Sequence, residues 1–275
     1  MQTATRRTAK KPVIGIIGGT SPFGQWFKNF FESRGCVCLI AGRKTALTPV
    51  ALAERADIVI VSVPIRATAA TIRLVRSHVQ PGALLCDFTS IKSESLREML
   101  KSDARIGVAG IHPMFGPQAP SLREQNVIFC PGRDNQWIKF LKNLFSRQGG
   151  NIVEMTAAEH DKQMALVQAL THFANIALAK VMYGQTGPRR DVSTPVFRQQ
   201  TQTMSRILGS DPSLYADIQI GNKYFKKFMD QFIAESNKLR AIVDEGQDAA
   251  FEKNYRALAK ASASRLTKNQ PRISV

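Results

Sequence analysis

The feature that most constrains the fold is a short apolar run that leads directly into a glycine-rich turn and a helical pattern. The run covers residues 13–17, and the turn covers residues 18–24, GGTSPFG. Glycines in such a turn let the backbone approach a pyrophosphate, whose charge faces the N-terminus of the following helix. The pattern predicts the start of a dinucleotide-binding domain. Ser21 replaces the second glycine of the strict motif, so a plain strand–helix turn is the competing interpretation.

Further apolar, strand-like runs each follow a helical or turn segment. They cover residues 36–41, 58–64, 84–87, 107–109 and 127–130. This alternation predicts an α/β fold with a Rossmann-type, doubly wound parallel sheet. Ligands of such sheets bind beyond the carboxyl ends of the strands, where Pro64, Ser90 and His112 fall.

The predicted cofactor contacts come from the glycine turn and the loops after the next strands. Where an acidic residue would bind the ribose hydroxyls of NAD, the chain has Arg43 and Lys44. Two cations suit a ribose 2′-phosphate, so the sequence favours NADP, with NAD as the alternative and an ordinary basic loop as the simplest interpretation. The predicted cofactor-binding residues are Gly18, Gly19, Thr20, Ser21, Phe23, Gly24, Arg43, Lys44 and Pro64.

His112 lies in a loop of glycines and prolines, residues 110–117, GIHPMFGP. Imidazole titrates near neutrality, so a fixed histidine can take a hydroxyl proton while another group leaves the same carbon. Lone histidines in loops are ordinary, and the loop alone establishes nothing. The position of His112 at the predicted binding edge makes it the candidate general base.

After about Glu154 the strand-like runs stop and helical patterns continue to the end. We predict a disordered basic leader at 1–11, a Rossmann domain at 12–153, a helical substrate and dimerisation domain at 154–265 and a basic tail at 266–275. The pattern at 155–183 is apolar almost all round, which implies burial on several sides, as in a dimer.

Four polar residues of the helical half are candidates for substrate binding. Gln168 and His172 lie four residues apart on an apolar helix, where a polar pair requires partners such as a polar pocket. Arg198 and Arg206 lie on a later helix, and arginine offers a planar fork for carboxylates, although helix arginines are commonly surface residues. His160 is interpreted as structural, because Asp161 beside it is placed to cap their helix.

Composition restricts the classes of function. The formal charge of +17 is spread along the chain without an arginine-rich tract, so we expect an anionic small substrate and no specific nucleic acid. The four cysteines lack metal-type spacing, and no metal is expected. With no hydrophobic signal region and no uninterrupted apolar stretch of membrane length, we expect a cytoplasmic protein.

Five stretches of the chain resemble the prephenate dehydrogenase family, most of all the dehydrogenase part of the enterobacterial enzymes that fuse chorismate mutase to prephenate dehydrogenase. They are residues 18–24, 87–92 (DFTSIK), 110–117, 158–173 (ending QALTHF) and 205–218. The resemblance implies a Rossmann domain followed by a helical dimerisation domain. Because only about a dozen residues precede the first strand, mutase activity is not expected.

The resemblance also implies a reaction, the NAD(P)-dependent oxidative decarboxylation of prephenate to 4-hydroxyphenylpyruvate in tyrosine biosynthesis. In the family, residues matching His112 and Ser90 contact the ring hydroxyl, the match of His172 lies in the substrate pocket, and the match of Arg206 binds a substrate carboxylate. Arogenate and 4-amino-4-deoxyprephenate, a substrate of antibiotic pathways, are alternatives. A non-catalytic NADP-binding protein is a further one.

Overall fold

The structure is a computed structural model that describes residues 11–184 and 192–268. Residues 1–10 of the predicted leader and residues 269–275 of the predicted tail lie outside the described residues. The chain divides into two compact units, one ending at Phe225 and the other beginning at Lys226.

The described residues form a seven-stranded sheet. The strands are β1 (Val13–Ile17), β2 (Val37–Ala41), β3 (Ile58–Val61), β4 (Leu84–Asp87), β5 (Gly107–Pro113), β6 (Asn126–Arg133) and β7 (Asn151–Glu154). They lie in the order β2-β1-β3-β4-β5-β6-β7, and β1 to β5 are parallel. The predicted α/β class and Rossmann-type fold are confirmed.

Helices cover both faces of this sheet and complete the chain. The helices are α1 (Pro22–Glu32), α2 (Pro49–Ala53), α3 (Ile65–Val75), α4 (Ser93–Met99), α5 (Gln136–Arg147), α6 (Ala157–Met164), α7 (Thr171–Tyr183), α8 (Pro195–Leu208), α9 (Pro212–Gly221), α10 (Phe225–Asp244) and α11 (Asp248–Lys268). One core contains α1 and α5, and the other contains α2, α3 and α4. Alternate residues of β3 enter the two cores, because successive side chains of a strand point to opposite faces.

Strand β6 departs from the predicted all-parallel sheet. It runs antiparallel to β5, whereas β7 runs parallel to β6. A parallel neighbour of β5 would need a crossover, usually a helix, but residues 114–125 contain neither helix nor strand and bring the chain straight back. The predicted strand-like runs did not include β7, a short and largely exposed edge strand that ends at Glu154, where the strands were predicted to stop.

Helices α6 and α7 are joined by a π-helical segment, Ala165–Leu170, so that residues 157–183 form one helical run. By length and composition alone this run could cross a membrane, with a mean hydropathy of 1.3. A helix that packs within a soluble protein passes the same test. The start of the run, with His160, Asp161 and Met164, is buried. Helix α7 buries only Ala179 and exposes Leu178, Val181 and Tyr183, so the predicted burial of residues 155–183 on several sides is not found within a single chain.

The second unit consists of the rest of α10, together with α11. Helix α11 continues to Lys268, three residues into the segment predicted as the basic tail. Both helices expose large apolar side chains, among them Val243, Tyr255 and Leu258.

A buried ion pair joins the end of β4 to β5. The Nζ atom of Lys92 pairs with the carboxylate of Asp87, and both side chains are fully buried. Lys92 Nζ also donates to the carbonyl oxygen of Ile111, 3.0 Å away. Because an uncompensated charge is costly in a protein interior, each partner requires the other.

Replacing Lys92 with methionine leaves Asp87 buried without its cation. We expect Lys92→Met to lower the free energy of unfolding by about 3–5 kcal/mol, measured by urea denaturation. The matched control is Lys101→Met, which removes an exposed partner of Glu98 and should cost less than about 1 kcal/mol. Equal losses in the two variants would contradict a structural role for the buried pair.

Candidate active site

The glycine turn between β1 and α1 is built for close approach of backbone. Gly18 has a φ of +90°, and a β-carbon on it would lie 2.0 Å from the carbonyl oxygen of Ser62. A β-carbon on Gly24 would lie 2.5 Å from the carbonyl oxygen of Gly18. Side chains at these positions would force the turn away from β3 and from the helix. The turn therefore has the compact form that a pyrophosphate requires at a helix N-terminus.

Ser21 explains why the turn tolerates the loss of its second glycine. Its φ is −71°, which any residue adopts, and its hydroxyl caps α1 by accepting from the amide of Gly24, 3.0 Å away. The same hydroxyl donates to the carbonyl oxygen of Gly18 at 2.9 Å. A glycine at position 21 would allow the same backbone conformation but could not form these two hydrogen bonds. Ser21 therefore stabilises the loop.

The other predicted cofactor residues lie along the same edge of the sheet. Arg43 and Lys44 follow β2, which is hydrogen-bonded to β1, and both are exposed. Pro64 follows β3, the other neighbour of β1, and occupies the position before the first turn of α3. These positions surround the glycine turn, and together they fit a nicotinamide dinucleotide.

His112 lies near the carboxyl end of β5, with only 4% of its surface exposed. Its Nδ1 atom is 2.8 Å from Nε2 of His160 on α6. His160 is fully buried, and its own Nδ1 atom is 2.9 Å from Oδ1 of Asp161. The three side chains form a continuous line of contacts from a carboxylate to the candidate base, which we call the His112–His160–Asp161 chain.

The structure contradicts the prediction that Asp161 caps the helix on which it and His160 lie. Thr156 caps α6, in a reciprocal capping box with Glu159. Asp161 instead accepts from the backbone amides of Lys92 at 2.7 Å and Ser93 at 2.9 Å, at the start of α4. Sequence proximity suggested a local cap, whereas the carboxylate binds an element about seventy residues earlier in the chain.

The protonation states along this chain follow from burial and charge. Burial lowers the pKa of His112 well below its usual range, and His160 and the ammonium of Lys92 lower it further. Burial also lowers the pKa of His160, although its hydrogen bond with Asp161 opposes the shift. Burial would raise the pKa of Asp161, but the hydrogen bonds from His160, Lys92 and Ser93 together lower it. At pH 7 the chain therefore contains two neutral imidazoles and a carboxylate.

Ser90 lies in the loop between β4 and α4 and is half-buried. The loop is held from both sides of Ser90. The Thr89 amide donates to Oδ2 of Asp87 at 3.2 Å, and the Lys92 amide donates to Asp161. Ser90 follows β4, whereas His112 lies within the last residues of β5, paired with Ile128 of β6, and not in the predicted loop beyond the strand. Both residues still lie at the carboxyl ends of neighbouring strands. Their contact with a common substrate stays a prediction.

Gln168 and His172 each contain a buried polar atom without a hydrogen-bond partner among the described residues. These atoms are Oε1 of Gln168 and Nδ1 of His172. The His172 ring also packs edge-on against Tyr215 of α9, with ring centroids 4.6 Å apart. Because buried polar atoms normally have partners, both atoms are suited to bind a ligand. Gln168 lies in the π-helical segment, so the α-helical spacing used to place the two on one face does not apply to it.

The two candidate arginines lie at opposite ends of α8. Arg198 donates to the carbonyl oxygen of Ser193 at 3.1 Å, which braces the entrance to its own helix. Arg206 is exposed in the last turn. The structure does not bring either guanidinium into contact with His112, and their role in substrate binding stays a prediction.

Comparisons with known proteins agree with this architecture. Residues 40–154 match the family model for the nucleotide-binding domain of prephenate dehydrogenase, and residues 156–257 match the model for its dimerization domain. The chain belongs to the prephenate dehydrogenase family. The glycine turn, residues 18–24, precedes the residues matched by the first model, and its position between β1 and α1 is known from the structure.

Two relatives and one solved structure illustrate the family likeness. The chain is 33% identical to a probable arogenate/prephenate dehydrogenase of Methanocaldococcus jannaschii, over 90% of this chain and 60% of that protein. It is also 33% identical to the T-protein of Haemophilus influenzae, over 74% of this chain and 55% of that protein. The chain thus spans little more than half the length of these relatives. Prephenate dehydrogenase of Aquifex aeolicus, crystallised with hydroxyphenyl propionate and NAD+, shares the fold with a TM-score of 0.72 and 20% identity, over 96% of this chain and all of that one.

The buried imidazoles predict how stability depends on pH. Burial lowers the pKa values of His112, His160 and His172 in the folded state, so below about pH 6.5 the unfolded chain binds more protons. The free energy of unfolding should therefore fall as the pH falls from 7.5 to 5.5, by at most about 1.4 kcal/mol per pH unit for each histidine.

Urea denaturation at several pH values measures this slope. His112→Asn removes one of the three groups and should give a shallower slope than the wild-type protein. Stability that rises on acidification, or an unchanged slope in His112→Asn, would contradict the neutral state assigned to His112.

Proposed function

We propose that the protein catalyses the NADP-dependent oxidative decarboxylation of prephenate to 4-hydroxyphenylpyruvate, in tyrosine biosynthesis. The observation that carries the proposal is the neutral, buried His112 at the edge of the sheet where the glycine turn of a family dinucleotide domain lies. A neutral imidazole at that edge is suited to take a proton from a substrate whose hydride moves to a cofactor on the same edge.

The reaction requires one base and one acceptor of hydride. A dinucleotide held by the glycine turn would supply the acceptor for the hydride of the ring carbon that carries the hydroxyl. His112 takes the hydroxyl proton as that carbon gains carbonyl character, and Ser90 contacts the same oxygen. Loss of the ring carboxylate as CO2 leaves the electron pair of the broken bond to the ring, which becomes an aromatic phenolate and recovers its proton from His112. Aromatisation makes the overall step strongly favourable.

The proposed substrate carries two carboxylates, so its binding site requires positively charged side chains. Arg206 is proposed to bind one carboxylate in the bidentate geometry that guanidinium favours, and Arg198 is the second cation proposed to serve the pocket. His172 and Gln168 are proposed to line the pocket, because each offers a buried polar atom that no described protein group satisfies. Of these residues, His172 and Arg206 are the ones carried over from the family, whereas Gln168 and Arg198 are proposed from the pattern of this chain.

NADP is proposed over NAD because of the charge after β2. Arg43 and Lys44 stand where NAD-type domains carry an acid, and both are exposed beside the glycine turn. The ribose 2′-phosphate of NADP would be met by two cations, whereas the hydroxyl of NAD would find no carboxylate.

Two related dehydrogenases are the nearest alternatives. Arogenate differs from prephenate only in its side chain, and 4-amino-4-deoxyprephenate differs only at the group that His112 would contact. A non-catalytic NADP-binding protein is the alternative from another class. Retention of Ser90, His112, His172 and Arg206 at family positions far apart in the sequence supports an enzyme.

We further propose a cytoplasmic homodimer with domain boundaries near residues 12–153 and 154–265. The two family models meet between residues 154 and 156, and the second describes a dimerization domain. The exposed apolar residues of α7, α10 and α11 are suited to such an interface.

The test of function is nicotinamide reduction by the purified protein, with each of prephenate, arogenate and 4-amino-4-deoxyprephenate crossed with NAD and NADP. We expect the highest kcat/KM with prephenate and NADP. His112→Asn should lower kcat by roughly 10²- to 10⁴-fold without weakening NADP binding, because it removes only the base. The control is His78→Asn, whose imidazole is exposed and pairs with Glu54. Wild-type turnover by His112→Asn would exclude the base, and no turnover in all six combinations would favour the binding protein.

The cofactor assignment has its own test. Arg43→Ala should raise the Kd for NADP by roughly 10- to 100-fold, the value of a charge-assisted contact, and change the Kd for NAD by less than about 2-fold. Calorimetric titration measures both constants. Arg55→Ala is the matched control, since Arg55 is exposed before β3, at the opposite edge of the sheet. Equal effects of Arg43→Ala on the two cofactors would exclude a contact with the 2′-phosphate.

A further inference from the structure

We infer that His160 is a positioning residue: it holds His112 with the proton on Nδ1, so that Nε2 is the atom that takes the substrate proton. The inference rests on the proposed function in one respect, the role of His112 as the base. Its own basis is the His112–His160–Asp161 chain, in which each side chain limits the hydrogen-bonding role of the next.

The direction of the chain is set at its carboxylate end. Oδ1 of Asp161 accepts from the Lys92 amide, and Oδ2 accepts from the Ser93 amide. A carboxylate has no proton to donate, so the proton between Asp161 and His160 lies on Nδ1 of His160. A neutral His160 with its proton on Nδ1 has a lone pair on Nε2.

That lone pair determines the state of the next ring. Nε2 of His160 lies 2.8 Å from Nδ1 of His112, and a hydrogen bond of that length needs one proton between the two atoms. Since His160 can only accept there, His112 donates from Nδ1. The second nitrogen of His112, Nε2, is then unprotonated and free to act as a base.

The charged groups around the pair favour this arrangement. Lys92 approaches from the loop after β4, with its carboxylate partner Asp87 on β4, and Asp161 lies beside His160 on α6. A protonated His160 would carry a proton on Nε2 and would donate it to His112, which would place the remaining proton of His112 on the wrong nitrogen. Burial and the ammonium of Lys92 both oppose that protonated state.

Both ends of the His112–His160–Asp161 chain are held by buried hydrogen bonds. The carbonyl oxygen of Asp161 accepts from the side-chain amide of Asn222, 2.7 Å away, and Asn222 is buried. His112 itself lies on a central strand, next to Ile111, whose carbonyl oxygen accepts from Lys92. His160 therefore connects Asp161 to His112, both of which are held in place. The hydrogen bonds of its ring determine which nitrogen of His112 carries the proton.

Two replacements of His160 separate this role from a purely structural one. The amide of asparagine reaches about as far as Nδ1 of histidine, so His160→Asn keeps a donor for Asp161 and loses contact with His112. The amide of glutamine reaches about as far as Nε2, so His160→Gln keeps an acceptor for Nδ1–H of His112. Both variants remove the same buried imidazole, and a loss of packing would affect them alike.

We expect His160→Asn to lower kcat by roughly 10- to 100-fold, a part of the contribution of a general base, with KM and the Kd for NADP within about 2-fold of wild type. His160→Gln should recover to within roughly 5-fold of the wild-type kcat. Equal losses in the two variants, or wild-type kcat in His160→Asn, would overturn the inference.

A spectroscopic readout tests the tautomer without turnover. Nitrogen-15 correlation spectra of the imidazoles at pH 7.5, assigned by comparison with His112→Asn among the four histidines of the chain, report which nitrogen of His112 carries the proton. We expect protonated Nδ1 and unprotonated Nε2 in the wild-type protein, and a shift toward protonated Nε2 in His160→Asn. A wild-type His112 protonated on Nε2 would overturn the inference even if neither variant folds. Absence of turnover by the wild-type protein would instead count against the proposed function, because the spectrum is independent of it.

Discussion

The carboxylate of Asp161 is the contact on which the arrangement of the site depends. It binds the first amides of α4, and through them the loop that carries Ser90, while its neighbour His160 reaches His112 on β5. The Asp161 carboxylate thus connects α6, in the second family domain, to the loop after β4 and, through His160, to the end of β5 in the first domain. Because its partners are backbone amides and a buried imidazole, the position is defined without any flexible side chain. The buried pair of Lys92 and Asp87 supports the same loop from the opposite side.

Much of the fold could be predicted because local pattern and global structure agree in it. The glycine turn, the apolar runs and the position of Ser90 and His112 at the carboxyl ends of neighbouring strands follow from periodicity and from the rule for parallel sheets, although His112 lies inside β5 and not beyond it. The role of Asp161 could not be predicted in this way. The position of Asp161 beside His160, near the start of their helix, suggested a local capping role. No spacing rule relates residues 92, 112 and 160. A signal was present, however: a histidine and an aspartate adjacent on a helix whose capping box, Thr156 and Glu159, was already complete.

The antiparallel strand β6 and the edge strand β7 mark another limit of the sequence pattern. Apolar runs identify buried strands but contain no information about direction, which depends on the connection. Residues 114–125 contain too little regular structure for a crossover, and this was the available clue. The functional consequence is local. The chain that follows His112 returns as β6 beside the same strand, so His112 is paired with Ile128 of β6, whereas the pairing of β5 with β4 ends at Gly110.

The π-helical segment at residues 165–170 has a consequence that concerns how such a pocket can change over time. In a π-helix the chain takes one more residue per hydrogen-bonded turn than in an α-helix, so losing one residue there restores an α-helix. A π-helical turn absorbs the extra residue with nearly the same total rotation, so α7, with His172, would keep its direction after that loss. A length change of one residue could therefore remodel the stretch that carries Gln168 and leave His172 in place. Insertions and deletions, as well as exchanges of side chains, are open routes by which relatives sharing this fold can acquire different substrates.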